Sequence, residues 1–450
     1  KRWGVFPSGS LAWRPFQESF MPQVPWLSDL KIRGSFGVLG NQSIGDNYLY
    51  QSVLTSSTIT GSAWSSAPLY AFDKTSPTQG FAASKLLDPS LSWETTYSTN
   101  LGIDISLFRN RLNFNLDWYY KKTVDILVPD AKLPYSSGFS TSVQALGSMR
   151  NKGLEATISF KDKIRNFNYG VNLFVQGNRN MVLSYPSPGP WGKTIYAPGL
   201  PYGSYFLNIF DGIRQQPEVV KLGSGTAYTL PAGTMIIRDI HGPSSSSNYG
   251  IGVGGPDGIV NRDGDREVVS GAYPKFESGL TLTASWKGFD ISCFFYGVYG
   301  VKQYIEGAGW IPFDNTIAPP STMWRDAWTP ENHSEKLPML AFGNMGKGVW
   351  YNPLHEDDDL ARNTFSLVDG SYLRLKNLNI GYTFNLNKFG VQNLRVYFSG
   401  DNLMTITNYP GEPERQTGAY TDGTAAREYN NTFLRYPQNK VYSLGINLKF

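Results

Sequence analysis

Residues 100–120 read Asn-Leu-Gly-Ile-Asp-Ile-Ser-Leu-Phe-Arg-Asn-Arg-Leu-Asn-Phe-Asn-Leu-Asp-Trp-Tyr-Tyr. Leu101, Ile103, Ile105 and Leu107 alternate with Asn100, Gly102, Asp104 and Ser106. After Arg109 and Asn110, Leu112, Phe114, Leu116, Trp118 and Tyr120 alternate with Arg111, Asn113, Asn115, Asp117 and Tyr119. Successive side chains of a strand point to opposite faces, so this stretch predicts a hairpin with one apolar face and one face of amides and carboxylates. The polar face carries no aliphatic residue.

The same period predicts four more hairpins. Residues 5–13 pair with 30–39, 154–160 with 167–175, 280–286 with 289–297, and 372–384 with 394–404. No helical stripe of useful length accompanies them. Turns within hairpins are short, as at Arg109-Asn110 and Lys287-Gly288, whereas residues 40–92, 128–151, 180–273, 302–370 and 405–439 read as long loops. Structureless loops beyond about 15 residues are uncommon in compact domains and usually functional, so one end of the sheet is expected to carry all the elaboration.

Composition narrows the class. The 450 residues hold 40 Lys and Arg against 36 Asp and Glu, a net charge of +4 that is too even for a nucleic-acid binder. Charged residues are only 17% while aromatics reach 14%, a weakly charged, ring-rich β composition. Cys293 is the single cysteine, which excludes an intrachain disulfide framework and cysteine-based zinc sites. His241, His333 and His355 are too scattered for a metal or catalytic motif. There is no apolar run long enough for a transmembrane helix, and the first residues do not read as a signal peptide.

An amphipathic antiparallel sheet fits a soluble sandwich with apolar faces inward, or a membrane barrel with apolar faces toward lipid. Strands of about ten residues, aromatics gathered at strand ends (Phe108, Trp118, Tyr119, Tyr120), and short turns opposed to long loops favour the barrel. At the C-terminus, Tyr442, Leu444, Ile446, Leu448 and Phe450 occupy alternate positions and the chain stops on the aromatic. This resembles the terminal-strand insertion signal of outer-membrane barrels; an ordinary last strand is the competing reading.

Five blocks carry a family resemblance in order: residues 33–42 (ending Gly40-Asn41-Gln42), 100–127, 147–155, 372–378, and 400–403 followed by Tyr409-Pro410-Gly411. They resemble the SusC/RagA-like TonB-dependent transporters of the bacterial outer membrane. The resemblance implies an all-β, antiparallel transmembrane barrel, with residues 1–450 forming the C-terminal part of a plugged barrel of about 22 strands with long extracellular loops. About twelve to fourteen strands are expected here, and the signal peptide, plug, TonB box and first strands of such proteins have no counterpart in these residues. The implied function is active import of nutrient oligomers, with glycan favoured. The implied partners are TonB through the N-terminal part, the missing barrel half and plug, outer-membrane lipid, and a SusD-like surface lipoprotein in a dimer of SusC–SusD pairs. An oligopeptide importer, a passive porin-like channel and a soluble β-rich glycan-binding domain are the alternatives.

Candidate sites are few. Asn261, Asp263 and Asp265 alternate as in a calcium loop, but Arg266 stands where the loop's glycine belongs and Ala272 where a closing glutamate belongs. A polar loop held by Asx-turns is the competing and favoured reading. The run 355–359 (His-Glu-Asp-Asp-Asp) reads as a solvated loop. Trp64, Trp191, Trp310 and Trp350 are the candidate sugar-stacking residues, with Trp324 and Trp328 nearby in sequence; packing aromatics are the competing reading. No nucleophile–base pair, phosphate loop or paired carboxylates at catalytic spacing stands out, so no enzyme activity is expected. No cofactor is required.

Overall fold

In the computed structural model, the described residues are 3–22, 24–41, 92–132, 141–186, 188–223, 225–261, 263–305, 310, 320–340, 362–388, 390–414 and 438–450, together with short strand pieces between 54 and 83. Their backbone is organised by one antiparallel meander of eleven strands. In chain order these are β1 (Ser8–Trp13), β2 (Leu27–Asn41), β3 (Glu94–Leu107), β4 (Leu112–Lys132), β5 (Thr141–Ile164), β6 (Phe167–Ser184), β7 (Phe276–Trp286), β8 (Phe289–Tyr299), β9 (Tyr372–Lys388), β10 (Val391–Thr407) and β11 (Val441–Lys449). Each pairs with its sequence neighbour, and β1 and β11 are the two edges among the described residues. All five expected hairpins are present in their expected pairings.

Among the described residues the sheet holds eleven strands, and further strand-like stretches form small separate sheets within the loops. Strands also outrun ten residues: β5 has 24 and β4 has 21. β4 and β5 therefore take up most of the stretch expected as a loop over 128–151.

Register shows why alternation matters. Leu30, Ile105, Phe114, Ile158, Leu173, Leu280, Phe295, Leu375 and Met404 stand side by side across nine strands, forming an unbroken apolar row. This face stays uncovered: Leu101 is 54%, Leu154 52%, Leu444 84% and Ile446 66% exposed. On the short-turn side the row is rimmed by rings, with Phe289 against Tyr382 at 4.5 Å and Phe167 against Tyr169 at 5.6 Å. On β5, Leu154 to Ile164 covers about 33 Å of strand at ~3.3 Å per residue, or about 25 Å of height at barrel tilt, which matches the lipid-facing band of a transmembrane barrel. No helix among the described residues is long and apolar enough to cross a membrane, a statement that does not bear on strands.

Most of the water-excluding core lies in the loops. Ile195, Phe206 and Leu207 are fully buried in a four-stranded loop sheet (189–191, 194–196, 204–208, 266–269) and its neighbours. Ile213, Met235, Trp324 and Ala327 form a second cluster; Ile305, Trp310 and Tyr409 form a third. Bonds such as Phe210 N–H to Thr364 Oγ1 (3.0 Å) and Gln303 Nε2 to the Pro413 carbonyl (3.1 Å) unite the three loops after β6, β8 and β10 into one layer.

Candidate functional site: the inner face and its loop layer

The face opposite the apolar rows is laced by charge pairs that cross strands. Arg33 on β2 donates Nε and Nη2 to Asp104 on β3 at 2.9 and 2.7 Å. It donates Nη1 and Nη2 to Asp117 on β4 at 2.9 and 3.0 Å. Gly102 stands between Arg33 and Asp117 in the register. A Cβ there would lie 2.6 Å from Asp117 Oδ1 and 2.7 Å from Arg33 Cζ, so a larger residue would push the guanidinium aside. Gly381 plays the same part on β9, where a Cβ would meet Arg395 Nη2 at 2.6 Å. Arg395 reaches Asp290 on β8 at 3.0 Å and Asn379 on β9 at 2.7 Å.

A third cluster joins wall to loops. Register shifts by one residue between Phe294 and Phe295, and this bulge puts Arg374, Lys376 and Asn377 on the inner face together. The Arg374 side chain is only 3% exposed and binds Glu412, Glu414 (2.7 Å) and Thr405 Oγ1 (2.9 Å); Lys376 also contacts Glu414. Strict alternation does not reveal this cluster, because a bulge breaks the period and the partners lie about forty residues away in another loop.

Between β4, β5 and β6 the inner face is largely neutral. Tyr119 Oη donates to Asn178 Oδ1 at 3.2 Å, and the Asn178 and Asn180 amides donate to Asn151 Oδ1 at 3.3 and 2.9 Å. Lys121 lies over the Tyr119 ring at 5.1 Å. Asn180 Oδ1 accepts the Tyr202 backbone N–H at 2.8 Å, which fixes a tyrosine cluster at the loop end of this band. Tyr185 stacks on Tyr196 at 5.6 Å, and Tyr202 meets Tyr196 edge-on at 4.8 Å. Partial burial, then the neighbouring phenols Tyr196, Tyr185 and Tyr273, push the Tyr202 hydroxyl up to about 12, so it is uncharged at neutral pH. The sequence signal was the tyrosine content of the loop after β6; only folding gathers the rings.

The residues singled out from sequence divide. Trp64, Trp350 and the run 355–359 lie outside the described residues. Trp191 is 72% exposed at the end of a loop strand. Trp310 is corrected: it is 5% exposed, packs on Phe365, and donates Nε1–H to Ser366 Oγ at 3.1 Å, which leaves no ring face for a ligand. Trp324 is equally enclosed, and Trp328 donates to Gln215 Oε1.

The 261–265 loop is held by its own hydrogen bonds. Both oxygens of buried Asp265 accept backbone N–H groups, from Ile240 (2.8 Å), His241 (3.1 Å) and Asn261 (2.7 Å). Asn261 Oδ1 accepts from the Gly264 N–H three residues on, and Asp263 pairs with Arg266 at 3.0 Å. Arg266 in turn covers the Phe206 ring at 4.6 Å, which is why an arginine occupies that position. Burial pushes the Asp265 carboxyl up from its ordinary range despite those three donors. Among the described residues, no three His, Cys, Asp or Glu side chains converge as a metal site. At the other end of the chain, Tyr442, Leu444, Ile446 and Leu448 on edge strand β11 and Phe450 just after it are 52–84% exposed.

Comparison with known proteins agrees with this geometry. Residues 1–234 match the TonB dependent receptor-like, beta-barrel family. TonB-dependent receptor P3 of Formosa agariphila is 28% identical over 464 residues, covering 100% of this chain and 42% of that protein. TonB-dependent receptor SusC of Bacteroides thetaiotaomicron is 24% identical over 477 residues, covering 100% and 40%. The RagAB peptide transporter structure superposes with a TM-score of 0.70 at 24% identity, over 99% of this chain and 43% of that one, a likeness of fold. The chain thus spans about two-fifths of the length of these relatives. A soluble sandwich is excluded by an apolar face that turns outward over most of the strands. With a family match over more than half of its residues, the chain belongs to the TonB-dependent receptor-like β-barrel family, a barrel of the bacterial outer membrane and not an enzyme.

Proposed function

We propose that this chain supplies wall and mouth to an active importer of nutrient oligomers, neutral glycans first, powered by TonB and served by a SusD-like surface lipoprotein. What carries the reading is the layout: an apolar outside, a polar inside closed by cross-strand pairs, and a packed loop layer at one end only. In lipid an open sheet edge leaves backbone groups unsatisfied at several kcal/mol each, so β1 and β11 are completed by further strands of the whole receptor. The β11 pattern ending at Phe450 serves as its insertion signal, and pairs of receptor and lipoprotein associate as dimers.

The amide band of Asn151, Asn178 and Asn180 beneath the tyrosine cluster supports the glycan reading. Amides and phenols hydrogen-bond hydroxyls, and rings stack on sugar faces without requiring charge. Trp191 is a second stacking candidate. The oligopeptide reading rests on Arg33 and Arg395, which could exchange their aspartates for peptide termini. Titrating the whole receptor with neutral oligosaccharides and with peptides of similar length separates the two. Glycan binding lost in Tyr202→Ala supports the first; peptide binding alone, indifferent to that change, overturns it. For the 261–265 loop we favour self-support, with calcium second; calcium-dependent protease resistance would reverse the preference.

A further inference from the structure

We infer that the outer face of β4, β5 and β6 carries a binding site for the phosphate groups of an outer-leaflet lipid. The register places two rows just beyond the apolar band on the long-loop side. The first runs Phe36, Thr99, Tyr120, Lys152, Arg179, and the second Val38, Tyr97, Lys122, Arg150, Met181. Both share the face of the row beneath them, Leu101, Trp118, Leu154, Gly177, which is the lipid-facing one. Four cations and no carboxylate occupy these two rows.

Their arrangement is costly unless an anion joins it. Lys152 stands directly opposite Arg179, and Lys122 directly opposite Arg150. Like charges in cross-strand pairs repel, and here two such pairs are stacked within a few residues. Four cations of the inner face, by contrast, have carboxylate partners: Arg33, Arg374, Lys376 and Arg395. Among the described residues none of the four outward cations has one. Among the described residues the Arg150 side chain donates Nη2 to the Met181 sulfur at 3.0 Å, and its Nε is buried without a hydrogen-bond partner. Asp125, in the irregular stretch of β4 beyond Lys122, forms no ion pair with them among the described residues.

Height and chemistry specify the ligand. Tyr97, Tyr120 and Trp118 put aromatic rings at the same level, where amphipathic rings settle at the headgroup boundary, with Trp118 and Tyr120 stacked at 6.4 Å. Cations in the same rows as that belt meet headgroup phosphates, and an arginine fork binds phosphate oxygens in pairs. The acyl chains of the same lipid would lie along Leu101, Leu154 and Ile158 below. A phosphorylated lipid of the outer leaflet satisfies both halves of the surface.

The test uses the whole receptor, extracted in mild detergent from its own outer membrane, with bound lipid counted by native mass spectrometry. The variant combines Lys122→Gln, Arg150→Gln, Lys152→Gln and Arg179→Gln; a control carries Lys161→Gln and Lys163→Gln near the short-turn end. Heat-modifiable gel migration verifies that each barrel is folded. The expected result is at least about a tenfold drop in retained phosphorylated lipid for the fourfold variant, equivalent to about 1.4 kcal/mol, and no change in the control. Equal retention in the fourfold variant overturns the site, as does equal retention of a dephosphorylated lipid. Complete displacement by inorganic phosphate would overturn the lipid assignment. If the barrel fails to fold, single Arg150→Lys and Arg150→Gln variants decide it: graded loss of lipid, with glutamine worse, is expected, and identical retention in both refutes it.

Discussion

The sheet and the loop layer obey opposite rules within one chain. In the sheet, Leu101, Leu154 and Ile446 are the exposed side chains, whereas Arg33, Asp104 and Asp117 are knitted together inside. In the loop layer, Phe206, Ile195 and Leu207 are wholly buried, and charges such as Arg238 and Asp211 lie at the surface. The difference follows from the solvent on each side. Lipid accepts apolar side chains and offers no hydrogen bonds, so strands keep their polar groups inward; water excludes apolar groups, so loops bury them. Hydrophobicity alone therefore says nothing of inside or outside until the medium is known.

The comparison can be broken most sharply by making the same kind of truncation in both regions. Phe206→Ala in the loop core should cost about 3–5 kcal/mol. Limited proteolysis should then cut the loops while the barrel keeps its heat-modifiable migration. Leu173→Ala on the lipid face should cost far less, since lipid chains fill the gap. Equal costs would sink the inside-out assignment.

Removing Arg374 tests the joint between the regions. Arg374→Met removes the cation that pairs with both Glu412 and Glu414, leaving Lys376 as the cation on Glu414 among the described residues. A loss of about 3–5 kcal/mol is expected for an uncompensated buried charge. The readout is loop protection and barrel melting measured together, and both should fall. If the loops alone loosen, the cluster is a loop clasp and not a joint.

Charge on the lipid face comes next. Leu173→Arg should destabilise folding into vesicles by about 2–4 kcal/mol near the bilayer midplane. Inner Asn172→Arg, on the neighbouring position, should be tolerated. Gly102→Ala should cost about 1–3 kcal/mol by overpacking, because the Arg33 fork must move aside.

The smallest effect is a pH response confined to the loops. The Arg238 guanidinium beside Asp211 holds its carboxyl below the usual carboxylate range. A depressed carboxyl stabilises the fold above its unfolded pKa of about 3.9, and that contribution disappears as pH falls through the folded value. The pair is exposed, so the effect should stay below about 1 kcal/mol. Asp265 has the opposite sign: burial raises it, so acid relieves a penalty and does not remove a support. Protease resistance between pH 5 and pH 3 in Asp211→Asn and Asp265→Asn (about the range in which carboxylates titrate) should therefore diverge in direction.

The sequence by itself determined the strand period, the five hairpins, the asymmetry of short turns and long loops, and the lipid-facing strip down to Phe450. These are local properties, because a period of two is written in consecutive residues and a tight turn in two or three. It also offered a polar loop held by Asx-turns as the favoured reading of residues 261–265; the bond formed there runs three residues, from the Gly264 N–H to Asn261 Oδ1. Only the tertiary structure decided the rest. Strand length was hidden where β4 and β5 continue through irregular stretches that break alternation. Trp310 and Trp191 look alike in sequence, and one is enclosed while the other stands open, since burial depends on which distant loop arrives to cover a ring. Arg33 with Asp117, Arg374 with Glu412, and the cations of β4, β5 and β6 are separated by tens of residues. Cross-strand register brings them together, and register is a property of the paired sheet that no single strand contains.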